Sequence, residues 1–289
     1  MSSQSQIIKS KISKYRSWRV ARLFRHKLAF LALIYIVTLI VLSSLAPWIA
    51  PYNFDERNPG AENIVFSAEH WFGTDPLGRD LFSRNLFAAR NALFVSVSAV
   101  LAGLFIGSFL GALAGYFRGW FDDVLMRFVD IFFSFPQFLL QIILIAMLGR
   151  GFFPLFIAIT ITSWAGYARL VRGQVIQIKQ FPFVEAAVCM GASNLRVLFK
   201  HIIPSVWGPV LVATGMGIPQ AMMVESGMSL IGLGLRPPMP SWGNLITEGA
   251  LQVLGFPHMV VFPAVSFALT LLAFAYLSDG LSEVFAREK

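Results

Sequence analysis

The sequence predicts an all-α membrane protein with six transmembrane helices, and three observations support that fold class. The 289 residues are 56% hydrophobic and only 13% charged, which leaves too few polar side chains to cover a soluble core. Long uncharged runs recur along the chain, and at about 1.5 Å per residue each can cross a hydrocarbon layer of about 30 Å. Seventeen of the 23 Lys and Arg residues fall on one side of these runs, so we expect both termini in the cytoplasm.

Composition and motifs argue against several functional classes. The net charge of +8 could indicate nucleic-acid binding, but the basic residues lie beside apolar spans, so no nucleic-acid partner is expected. The single cysteine, Cys189, excludes an internal disulfide framework, and the four histidines show no metal-ligand spacing. The chain contains no G-x-x-x-x-G-K-[ST] phosphate cradle and no convergent catalytic set. We therefore expect no metal or cofactor bound by this chain and no catalysis by it.

The N-terminal part of the chain combines a basic segment with an apolar run. Residues 1–27 carry eight Lys or Arg and no acid, which predicts a cytoplasmic segment followed by a first transmembrane helix over 28–49. A cleaved signal peptide is the alternative, but the basic part is too long and the apolar run exceeds a usual signal core. Residues 50–90 are polar, so we expect an extracytoplasmic loop in which a helix begins near Asp80.

Residues 91–282 are predicted to form a core of five further transmembrane helices, and 283–289 a cytoplasmic tail. In the second span, glycines at four-residue intervals form one stripe along the helix, where the backbone of another helix can approach closely. The alternative is that these glycines have no packing role and are only tolerated in a membrane helix. These glycines are Gly103, Gly107, Gly111 and Gly115. Residues 118–127 are expected to form a polar turn, with Asp130 beside Arg127 at the start of a third span that ends near residue 148.

The loop between the fourth span (154–171) and the fifth span (207–235) is the candidate working surface. This loop, residues 173–206, is charged and punctuated by glycine. A helix is expected around residues 185–187, with Gly191 taking the positive-φ turn that ends it. A second short helix is expected from Asn194 until Pro204 stops it. A sixth span is predicted over 259–277.

The stretch from 185 to 204 resembles the "EAA" loop of ABC-importer permeases. In that loop E-A-A is followed after three residues by Gly, and thirteen residues later by Pro, as in this chain at Glu185, Gly191 and Pro204. One position departs from the general pattern, because His201 stands where a hydrophobic residue is usual. The resemblance implies a cytoplasmic coupling helix that docks on an ATPase subunit. The residues assigned to this role are Glu185, Ala186, Ala187, Gly191, Ala192, Ser193, Arg196 and Pro204.

Further stretches narrow the resemblance to the dipeptide, oligopeptide and nickel branch of these permeases. HWFGTDPLGRDLFSR, residues 70–84, matches one signature of the branch. ESGMSLIGLGLRPPMPSWGNL, residues 225–245, matches another, with Gly227 and Ile231 as departures. Shorter matches are Asp130, Phe135-Pro136 and Asp279-Gly280-Leu281. The resemblance implies a type I ABC-importer permease fold in the bacterial inner membrane, with dipeptide or oligopeptide as cargo and nickel as the alternative.

The same resemblance implies partners. They are a homologous second permease, two ATP-binding subunits that hold ATP and Mg, and an extracytoplasmic substrate-binding protein, with membrane lipid around the assembly. A channel or an ion-driven secondary transporter would need inverted repeats or a chain of ionisable residues across the membrane, and the sequence shows neither. Glu225 and Met228 are assigned to the translocation path. The alternative for Glu225, an acid at membrane depth, is a structural carboxylate bonded near Ser226.

Overall fold

The computed structural model describes residues 27–286, so almost all of the predicted basic segment 1–27 and the end of the predicted tail lie outside the described residues. Within this range the regular elements are helical and no β-strand is present, which confirms the all-α prediction for this part of the chain. The helices are α1 (Lys27–Ser44), α2 (Ala46–Ile49), α3 (Leu81–Phe117), α4 (Trp120–Ser134), α5 (Gln137–Leu148), α6 (Phe152–Ile178), α7 (Pro182–Cys189), α8 (Asn194–Arg196), α9 (Ile203–Leu230), α10 (Trp242–Ala250) and α11 (His258–Ala286), with a π-helical segment, Val197–Ile202, between α8 and α9.

Five helices of the described chain are long and apolar enough to cross a membrane, and the bent pair α4 and α5 makes a sixth when it is counted as one span. The pair bends by 91° at the break between them. Phe135 is extended there (φ −104°, ψ 142°), as expected for a residue before proline, and Pro136 has no N–H to continue the helix. The predicted third span is therefore broken rather than straight.

Helix α3 begins earlier than the predicted second span. The side chain of Asp80 accepts a hydrogen bond from the backbone N–H of Ser83 at 2.7 Å, which caps the helix at Leu81. No Gly or Pro follows until Gly103, so nothing interrupts the helix between the expected start near Asp80 and the predicted span from residue 91. The last ten residues of the predicted 50–90 loop are helical as a result.

The four glycines of the stripe on α3 lie against α6 of the same chain. A Cβ atom added at Gly107 would lie 2.3 Å from the carbonyl oxygen of Trp164, and one added at Gly111 would lie 2.3 Å from that of Ala168. An added Cβ at Gly103 or Gly115 would also lie within 2.7 Å of an α6 atom. Only glycine, whose side chain is a single hydrogen atom, allows the two backbones to approach so closely. At this seam, helices α3 and α6 pack against each other more extensively than any other helix pair of the described chain.

Two buried clusters surround that seam. The larger joins α3, α6 and α9 with the segment that connects α6 to α9. The smaller joins α1, α3, α9, α10 and α11. Helix α1 packs on α11, where the Tyr35 hydroxyl lies 3.2 Å from Oγ1 of Thr270. Many large apolar side chains on the spans remain exposed, as expected for helices whose outer faces contact lipid or a partner.

Candidate functional site

The connection from α6 to α9 together with the first two residues of α9, residues 179–204, is named here the coupling segment. It is shorter than the predicted 173–206 loop, because α6 continues to Ile178 and α9 begins at Ile203. Its first helix, α7, starts where extended Phe181 is followed by Pro182, whose fixed φ suits the first helical turn. Glu185 lies in that first turn, where a carboxylate is favoured by the partial positive charge of the helix N-terminus.

Helix α7 ends in a Schellman motif around Gly191. The glycine has φ +80°, the left-handed conformation expected from the sequence. Its N–H donates to the Val188 carbonyl at 2.9 Å, and the N–H of Ala192 donates to the Ala187 carbonyl at 3.1 Å. These two bonds satisfy carbonyls that the end of a helix leaves unpaired. The turn direction after α7 is therefore set by the backbone of residue 191.

The structure corrects the prediction that Pro204 stops the second helix. Pro204 lies in the first turn of α9, and residues 194–230 form one continuous helical span. Proline removes a backbone donor and crowds the carbonyl four residues before it, here that of Lys200. The helix is widened at this place: the Ile203 N–H donates to the Leu198 carbonyl, a π-type step. The wider turn accommodates the proline ring without a break.

One face of the coupling segment is buried against the bundle and the other is exposed. Val184 and Ala187 of α7 are each 2% exposed, and Leu198 of the π segment is fully buried. Ala192 is half-buried. Of the eight residues assigned to ATPase coupling, the exposed ones are Glu185, Ala186, Gly191, Ser193, Arg196 and Pro204. Ala187 and Ala192 thus serve the packing of the segment, and the other six are free to contact a partner.

Apolar side chains are interspersed with these polar positions. The large exposed members are Phe181, Phe183, Val188, Met190, Leu195 and Phe199. Met190 is 81% exposed, directly beside the Gly191 turn. Exposed apolar side chains together with Glu185 and Arg196 give the segment the composition of a protein contact site.

The coupling segment is tied to the end of α3 through Tyr116, a contact that the sequence analysis missed. The Tyr116 hydroxyl donates to Oδ1 of Asn194 at 3.1 Å. Lys179 Nζ donates to the Tyr116 carbonyl at 2.8 Å and lies 4.8 Å from the centre of its ring. The start of the segment and the start of its second helix, α8, are therefore held against one residue of a spanning helix. No local sequence pattern connects positions so far apart in the chain.

Two ion pairs brace α4 against α6. Arg172 donates to both carboxylate oxygens of Asp122, through Nε to Oδ1 and through Nη2 to Oδ2 at 2.7 Å. Arg169 Nη2 lies 2.6 Å from Oδ1 of Asp130. Asp130 therefore pairs with Arg169 across the helix interface and not with Arg127, its expected neighbour in sequence. Asp122 lies in the first turn of α4, so the predicted polar turn is mostly helix.

At the opposite end of the bundle, the stretch from 70 to 84 forms an ion cluster with α10, buried on the loop side and partly exposed at Glu248, whose side chain is 43% exposed. Arg79 Nε donates to Oδ2 of Asp75 at 2.6 Å, and Arg84 Nη1 donates to the same oxygen at 2.5 Å. Arg84 Nη1 also donates to Oε2 of Glu248 at 2.7 Å. Two cations face two anions, so the charges balance in a place where Asp75 and Arg84 are each 2% exposed. Glu248 is the only acidic residue of α10, and no motif or spacing in the sequence indicated that it would join this cluster.

The loop before α3 is fastened by its backbone as well. Gly73 has φ +79°, and a Cβ added there would lie 2.2 Å from the carbonyl oxygen of Ile64. The Thr74 N–H donates to that Ile64 carbonyl at 2.9 Å. His70 Nδ1 lies 3.0 Å from Oδ1 of Asp80, the capping residue of α3. The polar residues of this stretch are thus engaged in holding the loop.

Glu225 and Met228, assigned to the translocation path, are fully buried within the chain. The Glu225 carboxylate accepts hydrogen bonds from the hydroxyls of Ser226 at 3.2 Å and Ser229 at 3.1 Å. These contacts are of the kind proposed for a structural carboxylate. The assignment of both residues to the path stays a prediction.

Comparison with known proteins gives two family matches and several close relatives. The model of the "Binding-protein-dependent transport system inner membrane component" family matches residues 72–289, and that of the "N-terminal TM domain of oligopeptide transport permease C" matches residues 16–66. The chain is 41% identical over 272 residues to the glutathione transport system permease protein GsiD of Escherichia coli O157:H7, covering 92% of this chain and 88% of that protein. It is 38% identical over 268 residues to the dipeptide transport system permease protein DppC of Bacillus subtilis, covering 92% and 83%.

Proposed function

The chain belongs to the family of binding-protein-dependent transport system inner membrane components, and from that membership we propose that it is a permease subunit of an ATP-driven peptide importer. The names of its relatives specify glutathione and dipeptide transport, which supports small peptides as the cargo class. The chain forms half of the translocation path and catalyses no reaction itself. Its partners are a second homologous permease, two ATP-binding subunits that hold ATP and Mg, and an external substrate-binding protein.

The observation that carries this proposal is the construction of the coupling segment. Its inner face is buried and is hydrogen-bonded to Tyr116. Its outer face exposes Glu185, Arg196 and several apolar side chains. A push on the outer face moves a unit that continues directly into α6 and α9. Because packed helices shift between discrete arrangements, an ATPase that contacts this face differently in its open and closed states can bias the permease between inward-open and outward-open states.

The coupling segment lies in the cytoplasm in this proposal. Most of the basic residues are in segments that share its side, including the N-terminal segment with eight Lys or Arg. The loop 50–80 and α10 then lie outside, where the binding protein delivers cargo. Balanced charges and positive-φ turns hold that outer loop against α3 and α10. A loop fixed in this way presents a rigid surface on which the binding protein can dock.

The coupling role is tested at Gly191. No neighbouring atom lies within 4 Å of a Cβ added there, so a side chain meets only the strain of φ +80°. Asn tolerates this conformation and a β-branched residue does not, so Gly191→Asn is expected to transport normally while Gly191→Val uncouples. The complex is reconstituted with its ATP-binding subunits, second permease and binding protein in liposomes, and both peptide uptake and ATP hydrolysis are measured.

The expected result for Gly191→Val is intact membrane insertion and assembly with loss of uptake. Gly173→Val is the matched control, because Gly173 is also exposed with no atom within 4 Å of an added Cβ, but it has no positive φ. Normal uptake and normal stimulation of ATP hydrolysis by loaded binding protein in Gly191→Val would contradict the coupling role. A wild-type complex without ATP-dependent uptake of any small peptide would contradict the proposed function itself.

A further inference from the structure

A groove of about 770 Å³ lies between the end of α1 and the middle part of α3, and it is named here the α1–α3 groove. Helix α3 lines it from Arg90 to Leu101, and the start of α6 and the loop after α9 supply the remaining lining residues. The rings of Phe94 and Phe152 stack with their centroids 5.0 Å apart, which joins α3 to α6 at this place. The groove contains no residue of the coupling segment or of the outer ion cluster.

The groove has the depth of one leaflet of a bilayer. Arg90 is followed by residues 91–117 of α3, which contain no charged side chain. Arg90 therefore lies at the polar edge of this span, and Leu101 lies near its middle. At about 1.5 Å per residue the two residues are about 16 Å apart along the helix, which is close to half of a hydrocarbon core of about 30 Å.

The inside of the groove is mostly apolar, and several of its few polar groups are already engaged. The Ser98 hydroxyl donates to the Phe94 carbonyl at 2.6 Å, and the Ser43 hydroxyl donates to the Ile40 carbonyl at 3.2 Å. The Asn91 side chain donates to a carbonyl of the loop after α9 at 2.8 Å. A ligand in the groove therefore meets mainly hydrocarbon, which favours an apolar chain over a peptide backbone.

Arg90 adds a positive charge at the polar end of the groove. It is exposed and is the only charged residue among those that line the groove. No acidic side chain pairs with it in the described part of the chain. The groove thus complements a molecule with an apolar chain about as long as one leaflet and a negative group at one end.

We propose that the α1–α3 groove binds an anionic phospholipid, with an acyl chain along α3 and the lipid phosphate at Arg90. A guanidinium at the membrane surface attracts anionic headgroups and bonds well to phosphate oxygens. Phe94 and Leu101 are 63% and 50% exposed, so the groove is open on the outer surface of the spans, where lipid lies. The inference requires only that the chain spans a membrane, so it can fail while the importer function stands.

Three variants test the charge. Arg90→Gln removes the cation and is not expected to affect folding, because the side chain is exposed and pairs with no acid of the described chain. Arg90→Lys keeps a positive charge without the guanidinium fork. Arg150→Gln is the matched control, since Arg150 is exposed in the turn just before α6, at the same end of the bundle, but does not line the groove.

The full complex is purified in a mild detergent and titrated with phosphatidylglycerol or phosphatidylcholine that carry the same acyl chains. Native mass spectrometry gives the Kd of each lipid. We expect the wild type to hold phosphatidylglycerol about fivefold more tightly, since about 1 kcal/mol for one arginine near a membrane surface corresponds to that ratio. Arg90→Gln should lose this preference, and Arg90→Lys and Arg150→Gln should keep it.

A second experiment locates the acyl chain. Phosphatidylglycerol with a photoreactive diazirine in the middle of one acyl chain is added to the complex and illuminated, and the crosslinked peptides are identified. We expect crosslinks within residues 94–101 of the wild type and their loss in Ser98→Phe, whose ring fills the groove. Ser108→Phe is the control, because Ser108 is also half-buried on α3 but does not line the groove, and it should crosslink as the wild type does.

Each outcome decides the inference. Equal Kd values for the two lipids in the wild type, or an unchanged preference in Arg90→Gln, would overturn it. Crosslinks confined to other parts of the complex would also overturn it, as would the absence of any crosslink in the groove because a second permease covers it. If Ser98→Phe does not fold, the Kd values of Arg90→Gln and Arg150→Gln decide.

Discussion

Gly111 provides the sharpest test of how the bundle is held together. A Cβ added at Gly111 would lie 2.3 Å from the carbonyl oxygen of Ala168 and 2.9 Å from its carbonyl carbon and Cα, whereas ordinary contact begins at 3.4 Å. All three atoms belong to the backbone of α6, which cannot move aside as a flexible side chain can. Gly111→Ala therefore requires α3 and α6 to separate by about 1 Å, the difference between the found and the ordinary contact.

The expected magnitude follows from two opposing effects. Overpacking by one methyl group in a close-packed interior destabilises by about 1–3 kcal/mol. Alanine is favoured over glycine within a helix by about 0.5–1 kcal/mol, which offsets part of that loss. The net effect of Gly111→Ala is a loss of about 0.5–2 kcal/mol. Gly166→Ala is the control: with no atom within 4 Å it keeps only the helix-propensity gain, so it is expected to stabilise by about 0.5–1 kcal/mol.

The assay is the apparent melting temperature of the purified protein in detergent, measured by the fraction that stays monodisperse after heating. At about 2–4 °C per kcal/mol, Gly111→Ala should melt a few degrees below the wild type and Gly166→Ala slightly above it. The two variants are thus expected to shift in opposite directions although the chemical change is the same. A Gly111→Ala protein that melts at or above the wild-type temperature would refute the reasoning, because the seam would then tolerate a methyl group.

Three further predictions concern orientation, buried charge and the outer ion cluster. Cys189, which is exposed, should react with a membrane-impermeant maleimide in inside-out vesicles and not in intact cells; the reverse pattern would contradict the cytoplasmic position of the coupling segment. Glu225→Gln should keep near wild-type uptake, because an amide can still bond to both serine hydroxyls, whereas selective loss of cationic peptides would indicate cargo contact. Arg84→Gln should destabilise by about 3 kcal/mol, because it leaves Asp75 and Glu248 short of a cation, and the yield of folded protein should fall. The exposed Arg57→Gln serves as its control, and equal yields would show that the cluster contributes little.

Features that depend on neighbouring residues could be predicted from the sequence. The spans follow from long uncharged runs, because an apolar segment of sufficient length has the same preference wherever it lies in the chain. The positive φ of Gly191 and the helix start at Asp80 follow from local conformational rules, since a cap or a tight turn is satisfied by groups a few residues away. The Gly191 turn lies in the coupling segment, which carries the proposed function.

Features that depend on distant residues could not be predicted in this way. Pro204 was expected to end a helix, but a π-type step before it allows the helix to continue into α9. Asp130 was expected beside Arg127, but Arg169 reaches it from another helix. The sequence showed that the glycine stripe could admit a backbone, and only the structure identified α6 as that backbone.

The contact between Gln141 and Thr162 and the outer ion cluster show the same limit most clearly. Gln141 is a single polar residue within an apolar run, and Glu248 is an isolated acid, so neither stands out by spacing or pattern. Packing brings each to a partner from a different helix. The sequence by itself determined which segments enter the membrane and where several of them turn. Apolar composition, helix caps and tight turns depend on residues that are close together in the sequence. The tertiary structure alone decided which polar groups meet, because their energy depends on partners that lie far along the chain and on the burial they share.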